Sequence, residues 1–251
     1  MTTTITELYN GATPAWERLA PVLLSDFTAR PFVLGLCEPL EGTVALDAGC
    51  GEGYMARQLR QRGATQVEGI DISSGMIEAA RAAEQANPLG IAFSLGNVVD
   101  LSRFPDHSFD LALAVFVFNY LTIDDTWAAM REIQRVLRPG GRFVFSVPHP
   151  ALPFLRAPEP PFFFDRAEFG YFSGRDSELH GRMWRRDGLA VPIRCVHKTF
   201  ADYFLALAKA GFAALPDVHE LGVTNDHLVL DPNFFSPLAD QPLHVAFRIV
   251  R

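Results

Sequence analysis

Val44-Ala45-Leu46-Asp47-Ala48-Gly49-Cys50-Gly51-Glu52-Gly53 passes from an apolar run into three glycines at alternate positions. An apolar run of this length predicts a short buried strand, taken over residues 43–47. Residues 52–62 then carry a helical pattern that Gly63 ends. Glycines at such a strand-to-helix turn let the backbone take positive φ and come close to a ligand. The helix that follows offers free N–H groups at its first turn. Asp71, twenty residues beyond Gly51, closes the next apolar run, where a carboxylate is placed to accept the two hydroxyls of a ribose. On these features alone the turn is a nucleotide site, and a nicotinamide or flavin dinucleotide remains open as well as other adenosine cofactors.

Outward from the turn, strands and helices alternate. Strands are predicted at 66–70, 91–95, 109–115 and 143–147. Helices are predicted from Ser73 or Ser74 to 84, stopping before Asn87-Pro88, and from Thr122 or Asp124 to 137, broken by Arg138-Pro139-Gly140-Gly141. Strands separated by helices imply βαβ units and a parallel sheet. The chain is divided into a helical leader (1–42) interrupted at Pro14, Pro21 and Pro31, a cofactor-binding core (43–147), a cap insert (148–195), and a C-terminal helix and strands (196–251). These are read as one domain. The cap carries Pro148, Pro150, Pro153 and Pro158 together with Phe154, Phe162, Phe163 and Phe164, which is too apolar for a solvated linker. Beyond it a helix is expected from Thr199 to 209, ended by Gly211, with strands near 212–221 and 243–250.

Composition narrows the partners. The 251 residues are 49% hydrophobic and 20% charged, ordinary for a globular protein. A net charge of −7 opposes a partner held through phosphates, so no nucleic acid is expected. Cys37, Cys50 and Cys195 are too few and too scattered for a disulfide framework or a zinc motif. Reduced thiols and a cytoplasmic location are the expectation. No secretory signal and no membrane span is read, and no metal site is expected. The sequence leaves monomer and homodimer open.

Taken together, the motifs resemble those of the class I S-adenosylmethionine-dependent methyltransferases over residues 40–150. Residues 46–53 resemble that family's first motif, in which Asp47, Gly49, Cys50 and Gly51 face the cofactor. Gly69-Ile70-Asp71-Ile72-Ser73 with Met76 resembles the second, where the acid binds ribose and the next residue packs on adenine. Gly96-Asn97-Val98 resembles the third, which reads the adenine edge, with asparagine in place of the more usual aspartate. Phe109-Asp110-Leu111 into Val115 resembles the fourth, whose end touches the methionine portion. Residues 135–141 resemble the turn before the fifth strand. The resemblance implies a Rossmann-like, doubly wound seven-stranded α/β sheet with an antiparallel last strand. It also implies S-adenosyl-L-methionine as cofactor and methylation of a small molecule, of the kind met in secondary metabolism.

Methyl transfer from a sulfonium asks the protein chiefly to hold the acceptor atom in line. A general base is needed only where that atom must lose a proton. His149, directly after the fifth strand, is assigned as the candidate catalytic residue, because the carboxyl ends of parallel strands face the site. Tyr9, Trp16, Phe116 and Tyr120 are assigned to the substrate pocket, which with the phenylalanine-rich cap suits a hydrophobic or planar acceptor at N or O. Alternatives kept in view are a methyltransferase acting on RNA or protein, and an NAD(P)-dependent oxidoreductase. Arg175, Arg182, Arg185 and Arg186 around Trp184 form a basic cluster, read either as a solvated face or as a seat for an acidic group.

Overall fold

The computed structural model describes residues 16, 18, 20–165 and 168–251. Two sheets organise these residues. The larger has seven strands in the order β3-β2-β1-β4-β5-β10-β9. They are β1 (Val44–Ala48), β2 (Gln66–Asp71), β3 (Ala92–Leu95), β4 (Phe109–Val115), β5 (Leu137–Pro148), β9 (Asp217–Leu221) and β10 (His244–Val250). The first five are parallel, and β10 runs antiparallel to both β5 and β9. This is the Rossmann-like seven-stranded α/β sheet that the motif order implies.

Alternation along each strand divides the core into two layers. Leu46, Ile70, Ala112, Phe143 and Phe145 face α5 (Ile123–Val136) and α7 (Phe200–Ala210). Ala45, Val67, Leu111, Leu113 and Val144 face α2 (Arg30–Leu36), α3 (Tyr54–Gln61) and α4 (Ser74–Ala86). Strands buried on both faces read as continuous apolar runs, as 111–115 does. Helix starts follow cap chemistry. Ser73 accepts from the Met76 N–H and Thr122 from the Asp125 N–H, so Ser73 and Thr122 are the caps rather than Ser74 and Asp124. Thr199 and Asp202 form a capping box on α7, and Gly211 ends that helix at φ 99°.

Three expectations are corrected in detail. Arg138-Pro139-Gly140-Gly141 does not separate α5 from a later strand. β5 begins at Leu137 opposite Phe109 and resumes at Arg142 opposite Leu111, with the four residues looped out at Gly140 (φ 79°). The C-terminal pair is shorter than expected, and the connection between its strands holds α8 (Asn225–Leu230) and α9 (Pro232–Phe235). In the leader, Pro31 sits in the first turn of α2, where its missing N–H costs nothing, and does not interrupt the helix. A short helix, α1 (Leu24–Thr28), precedes it.

The cap is a second sheet. β6 (Phe162–Phe164), β7 (Glu178–Trp184) and β8 (Ala190–Val196) form an antiparallel meander, preceded by a single turn, α6 (Leu152–Leu155). Phe162, Phe164, Leu179 and Met183 pack with Leu23 and Leu24 of the leader and with Phe235 and Leu243. Leu23 bridges Arg185, and the Arg186 N–H donates to the Val22 carbonyl, so leader and cap are joined through backbone as well as side chains. Among the described residues no helix is long and apolar enough to cross a membrane.

Candidate active site

The carboxyl ends of β1, β2 and β4 meet the underside of the cap at one cavity of about 370 Å³. Every residue assigned to the cofactor lines it, from Asp47, Gly49, Cys50 and Gly51 through Asp71, Ile72 and Met76 to Asn97, Val98 and Val115. The turn is pinned to the sheet, since the Gly49 and Cys50 N–H groups both donate to the Ile70 carbonyl at 2.7 and 3.0 Å. Gly49 has φ 78°, and a Cβ there would lie 2.3 Å from Val117 Cγ2, so only glycine passes. Gly51 also has positive φ, yet its absent Cβ would meet nothing within 4 Å. The two glycines therefore do different things: one permits packing, the other keeps space open.

Asp71 is fixed by backbone donors. Oδ2 accepts from the Gly51 N–H and Oδ1 from the Ser73 N–H, each at 2.9 Å. Burial raises its pKa against these hydrogen bonds. Ile72 beside it is 43% exposed, an apolar side chain left uncovered at the cavity wall. Asp47 is almost fully buried, and its Oδ2 has no hydrogen-bond partner. Burial pushes its pKa up to about 7. Asn97 Oδ1 accepts from the Val99 N–H at 3.2 Å, so its carbonyl is shared with a local turn. An orphaned carboxylate oxygen, an uncovered apolar wall and an open glycine space are what an adenosine-bearing, positively charged cofactor would fill. The residues fit S-adenosylmethionine.

The opposite wall is aromatic and basic. Phe116, directly after β4, holds φ 58°, a left-handed conformation that costs a non-glycine residue about 1 kcal/mol or more. Its ring meets His244 edge-on at 5.2 Å, and Arg30 lies over it at 5.4 Å. Phe162, Phe164, Met183 and Ile193 descend from the cap. Arg18 pairs with Asp26 at 2.9 Å and Glu52 at 2.5 Å, and Arg30 pairs with Asp26 at 3.1 Å. This buried network ties the leader to the residue after Gly51. Asn119 is buried at the same cavity with its Oδ1 unpartnered.

Trp16, Phe116 and Tyr120 line the cavity as assigned. Tyr9 lies outside the described residues. His149 does not line it. Its ring is buried against Phe200, with Nε2 2.7 Å from Glu220 Oε1 and Nδ1 accepting from the Ala151 N–H. The histidine at the cavity is His244, which pairs with Pro148 in the sheet register. Sequence reasoning missed it by looking only to residues that follow parallel strands, whereas the first residue of the antiparallel β10 reaches the same edge of the sheet. The position of His244 at the start of an antiparallel final strand was the available signal. Three of the four arginines of the cap's basic cluster are in ion pairs: Arg175 with Asp202, Arg185 with Asp187 and Arg186 with Asp231. Among the described residues no group of His, Cys, Asp or Glu could hold a metal ion.

A seven-stranded sheet with this order, a glycine turn after β1 and an acid closing β2 define a class I S-adenosylmethionine-dependent methyltransferase fold. Residues 46–145 match the family model described as a methyltransferase domain. A solved S-adenosylmethionine-dependent methyltransferase from Mesorhizobium loti is similar over 88% of this chain and 96% of its own, with 25% identity and a TM-score of 0.66. Among curated proteins, malonyl-[acyl-carrier protein] O-methyltransferase of Serratia marcescens is 35% identical over 127 residues, 51% of this chain and 46% of that protein. Ubiquinone biosynthesis O-methyltransferase of Neisseria meningitidis serogroup C is 33% identical over 108 residues, 43% and 44% of the two chains. The chain spans about half the length of these curated relatives.

Proposed function

We propose that this protein transfers the methyl group of S-adenosylmethionine to nitrogen or oxygen of a small, hydrophobic or planar organic acceptor. The observation that carries the reading is one cavity with two unlike walls. Asp47, Gly51, Asp71, Ile72, Asn97 and Val98 form one, and the phenylalanines of β6 with Phe116 form the other. Asp71, held by two backbone donors, presents its remaining lone pairs to the ribose hydroxyls. Ile72 would cover one face of the adenine, Asn97 and Val98 would meet its edge, and Gly51 would leave room for the amino-acid portion. The cofactor, when bound, supplies the activated methyl group and the leaving thioether. The residues of the cap and of the 116–121 segment exclude water and hold the acceptor against it. The relatives named above include O-methyltransferases of small or carrier-bound acceptors, which supports the same class.

Calorimetry with S-adenosylhomocysteine tests the cofactor half: binding is expected, and its absence in folded protein overturns the reading. Radiolabel transferred from the methyl donor into fractions of a cell extract tests the acceptor half. Label is expected in small molecules, and label in RNA or protein would overturn that part.

A further inference from the structure

The acceptor end of the cavity contains one polar group whose hydrogen-bond role can be worked out from its neighbours. Thr28, the last residue of α1, donates its hydroxyl proton to the Leu24 carbonyl at 3.0 Å. A threonine hydroxyl has one proton and can then only accept. His244 Nε2 lies 3.0 Å from that same oxygen, so Nε2 must carry the hydrogen that joins them. This assigns the Nε2–H tautomer of a neutral ring and leaves Nδ1 unprotonated. Nδ1 is buried and has no hydrogen-bond partner. The ring is 3% exposed, lines the cavity, and stands edge-on to Phe116 at 5.2 Å with Phe162 at 6.0 Å. An unpaired acceptor thus sits beside two phenylalanine rings, with Arg30 over one of them.

We infer that His244 Nδ1 is the recognition point for the methyl acceptor, which must present an O–H or N–H donor to it from within a planar or apolar body. This rests on the methyltransferase reading and deepens it: the acceptor is a neutral hydroxyl- or amine-bearing compound, not an anion. Burial, with Arg30 and His149 nearby, holds the His244 pKa down to about 3. A ring so reluctant to take a proton orients the donor and does not remove its hydrogen before the methyl arrives. The hydrogen bond leaves a lone pair of the acceptor's oxygen or nitrogen directed away from Nδ1, free to attack the methyl carbon as its bond to sulfur breaks and the neutral thioether leaves. The methylated cation then sheds its proton, an oxonium to Nδ1 and an ammonium to solvent. Arg30, already paired with Asp26 and stacked on Phe116, keeps the corner hostile to a second cation and tethers the phenylalanine wall. A compound of the same shape that lacks the donor would leave the buried Nδ1 unpaired and so forgo that hydrogen bond.

Two measurements test this. The first needs neither cofactor nor acceptor. Long-range proton–nitrogen correlation on ring-labelled protein is expected to show His244 neutral with hydrogen on Nε2, and hydrogen on Nδ1 would overturn the inference. The Thr28→Val variant is expected to lose that tautomer preference. The second compares 2-naphthol with 2-methylnaphthalene, equal in shape, in protein saturated with S-adenosylhomocysteine. The naphthol is expected to bind about tenfold or more tighter, and that preference should vanish in His244→Phe while homocysteine-cofactor affinity is unchanged. Equal affinity in the unsubstituted protein, including no binding of either compound, overturns the inference. His244→Gln, which keeps an acceptor atom, should retain part of the preference if His244→Phe fails to fold. Failure of S-adenosylhomocysteine to bind at all would strike the methyltransferase reading and leave the tautomer result standing.

Discussion

Gly51 and Asp47 sit four residues apart in the same turn and respond to substitution in opposite ways. Gly51→Val introduces a side chain into space where nothing lies within 4 Å, at a φ of 54° that costs a branched residue about 1–2 kcal/mol. The variant is expected to fold with a lowered melting temperature and to lose S-adenosylhomocysteine binding by more than a hundredfold in calorimetry. Asp47 carries a folded pKa of about 7 against a usual 3.8. The folded state therefore binds the proton more tightly than the unfolded chain, and stability falls as pH rises from about 4 to about 7. Replacing the carboxylate by a neutral amide removes that loss. Asp47→Asn should raise the melting temperature of the ligand-free protein at pH 8, by an amount on the order of a few kcal/mol in stability, and leave it little changed near pH 4. A lower melting temperature at pH 8 would show that the carboxylate is stabilised rather than strained. The same variant should bind S-adenosylhomocysteine more weakly, since Asp47 is one of the cofactor-facing residues proposed here.

At the scale of elements, the contact that matters most for the site is between the cap and the segment after β4. Lys198, two residues past β8, is 2% exposed and donates to the carbonyls of Leu121 and Val196. Burial lowers its pKa to about 8, so the amine is charged at neutral pH and lies near its titration point just above it. Through Leu121 it holds the short 3-10 helix Phe118–Tyr120, which carries Asn119 and Tyr120 into the cavity. Lys198→Met keeps the aliphatic stem and removes the donors. The partly buried Leu121 carbonyl then loses its lysine donor and the Val196 carbonyl keeps the Cys195 thiol, at about 1–3 kcal/mol for a carbonyl left unpaired. We expect a loss of melting temperature together with faster amide exchange in residues 117–122, read by hydrogen exchange with mass spectrometry. Exchange unchanged in that segment would mean that the cap does not brace it. β6 shows the same dependence on its neighbours. A three-residue strand has no stability of its own. It exists because Phe162 and Phe164 are covered by Leu23, Leu24 and Phe235.

For the whole molecule, acid sensitivity follows from two buried neutral histidines. Burial lowers the pKa of His244 and of His197, whereas in the unfolded chain both titrate near 6.5. Below that pH the unfolded state binds protons that the folded state refuses, so for His244 stability falls as pH drops from about 6.5 toward 3, at up to about 1.4 kcal/mol per pH unit, and His197 acts in the same direction. Asp110, Glu132 and Asp202, whose pKa values are lowered in the folded state, lose their contribution in the lower part of that range. Asp47, whose raised pKa adds stability as pH falls over the same range, opposes this, so the test is a difference: between pH 7 and pH 5 the urea midpoint of His244→Phe should shift upward relative to that of the unsubstituted protein. An equal pH dependence in the two proteins would assign the acid sensitivity elsewhere.

How much of this was readable beforehand varies with how local the cause is. Strand β1, the turn at Gly49–Gly53, Asp71, the Ser73 and Thr122 caps and the end of α7 at Gly211 are each set by a few adjacent residues, and they lie where sequence reasoning put them. So does the convergence of the motif residues, because every parallel βαβ unit returns its strand end to the same edge of the sheet. The chain order of residues 43–147 thus determined the sheet, its first five strands and the cofactor wall of the cavity. Tertiary structure alone decided the other wall. His149 precedes a loop that turns into the core, whereas His244 opens an antiparallel strand, and only the pairing of β10 with β5 tells which of them reaches the cavity. Arg18, Asp26, Arg30 and Glu52 meet across sequence gaps that no periodicity bridges. The cap is a sheet only because leader and C-terminal helices cover it. The wall proposed for the cofactor is written in contiguous residues whose backbone conformation they set themselves, while the wall proposed for the acceptor is assembled from distant segments whose meeting depends on the burial of side chains.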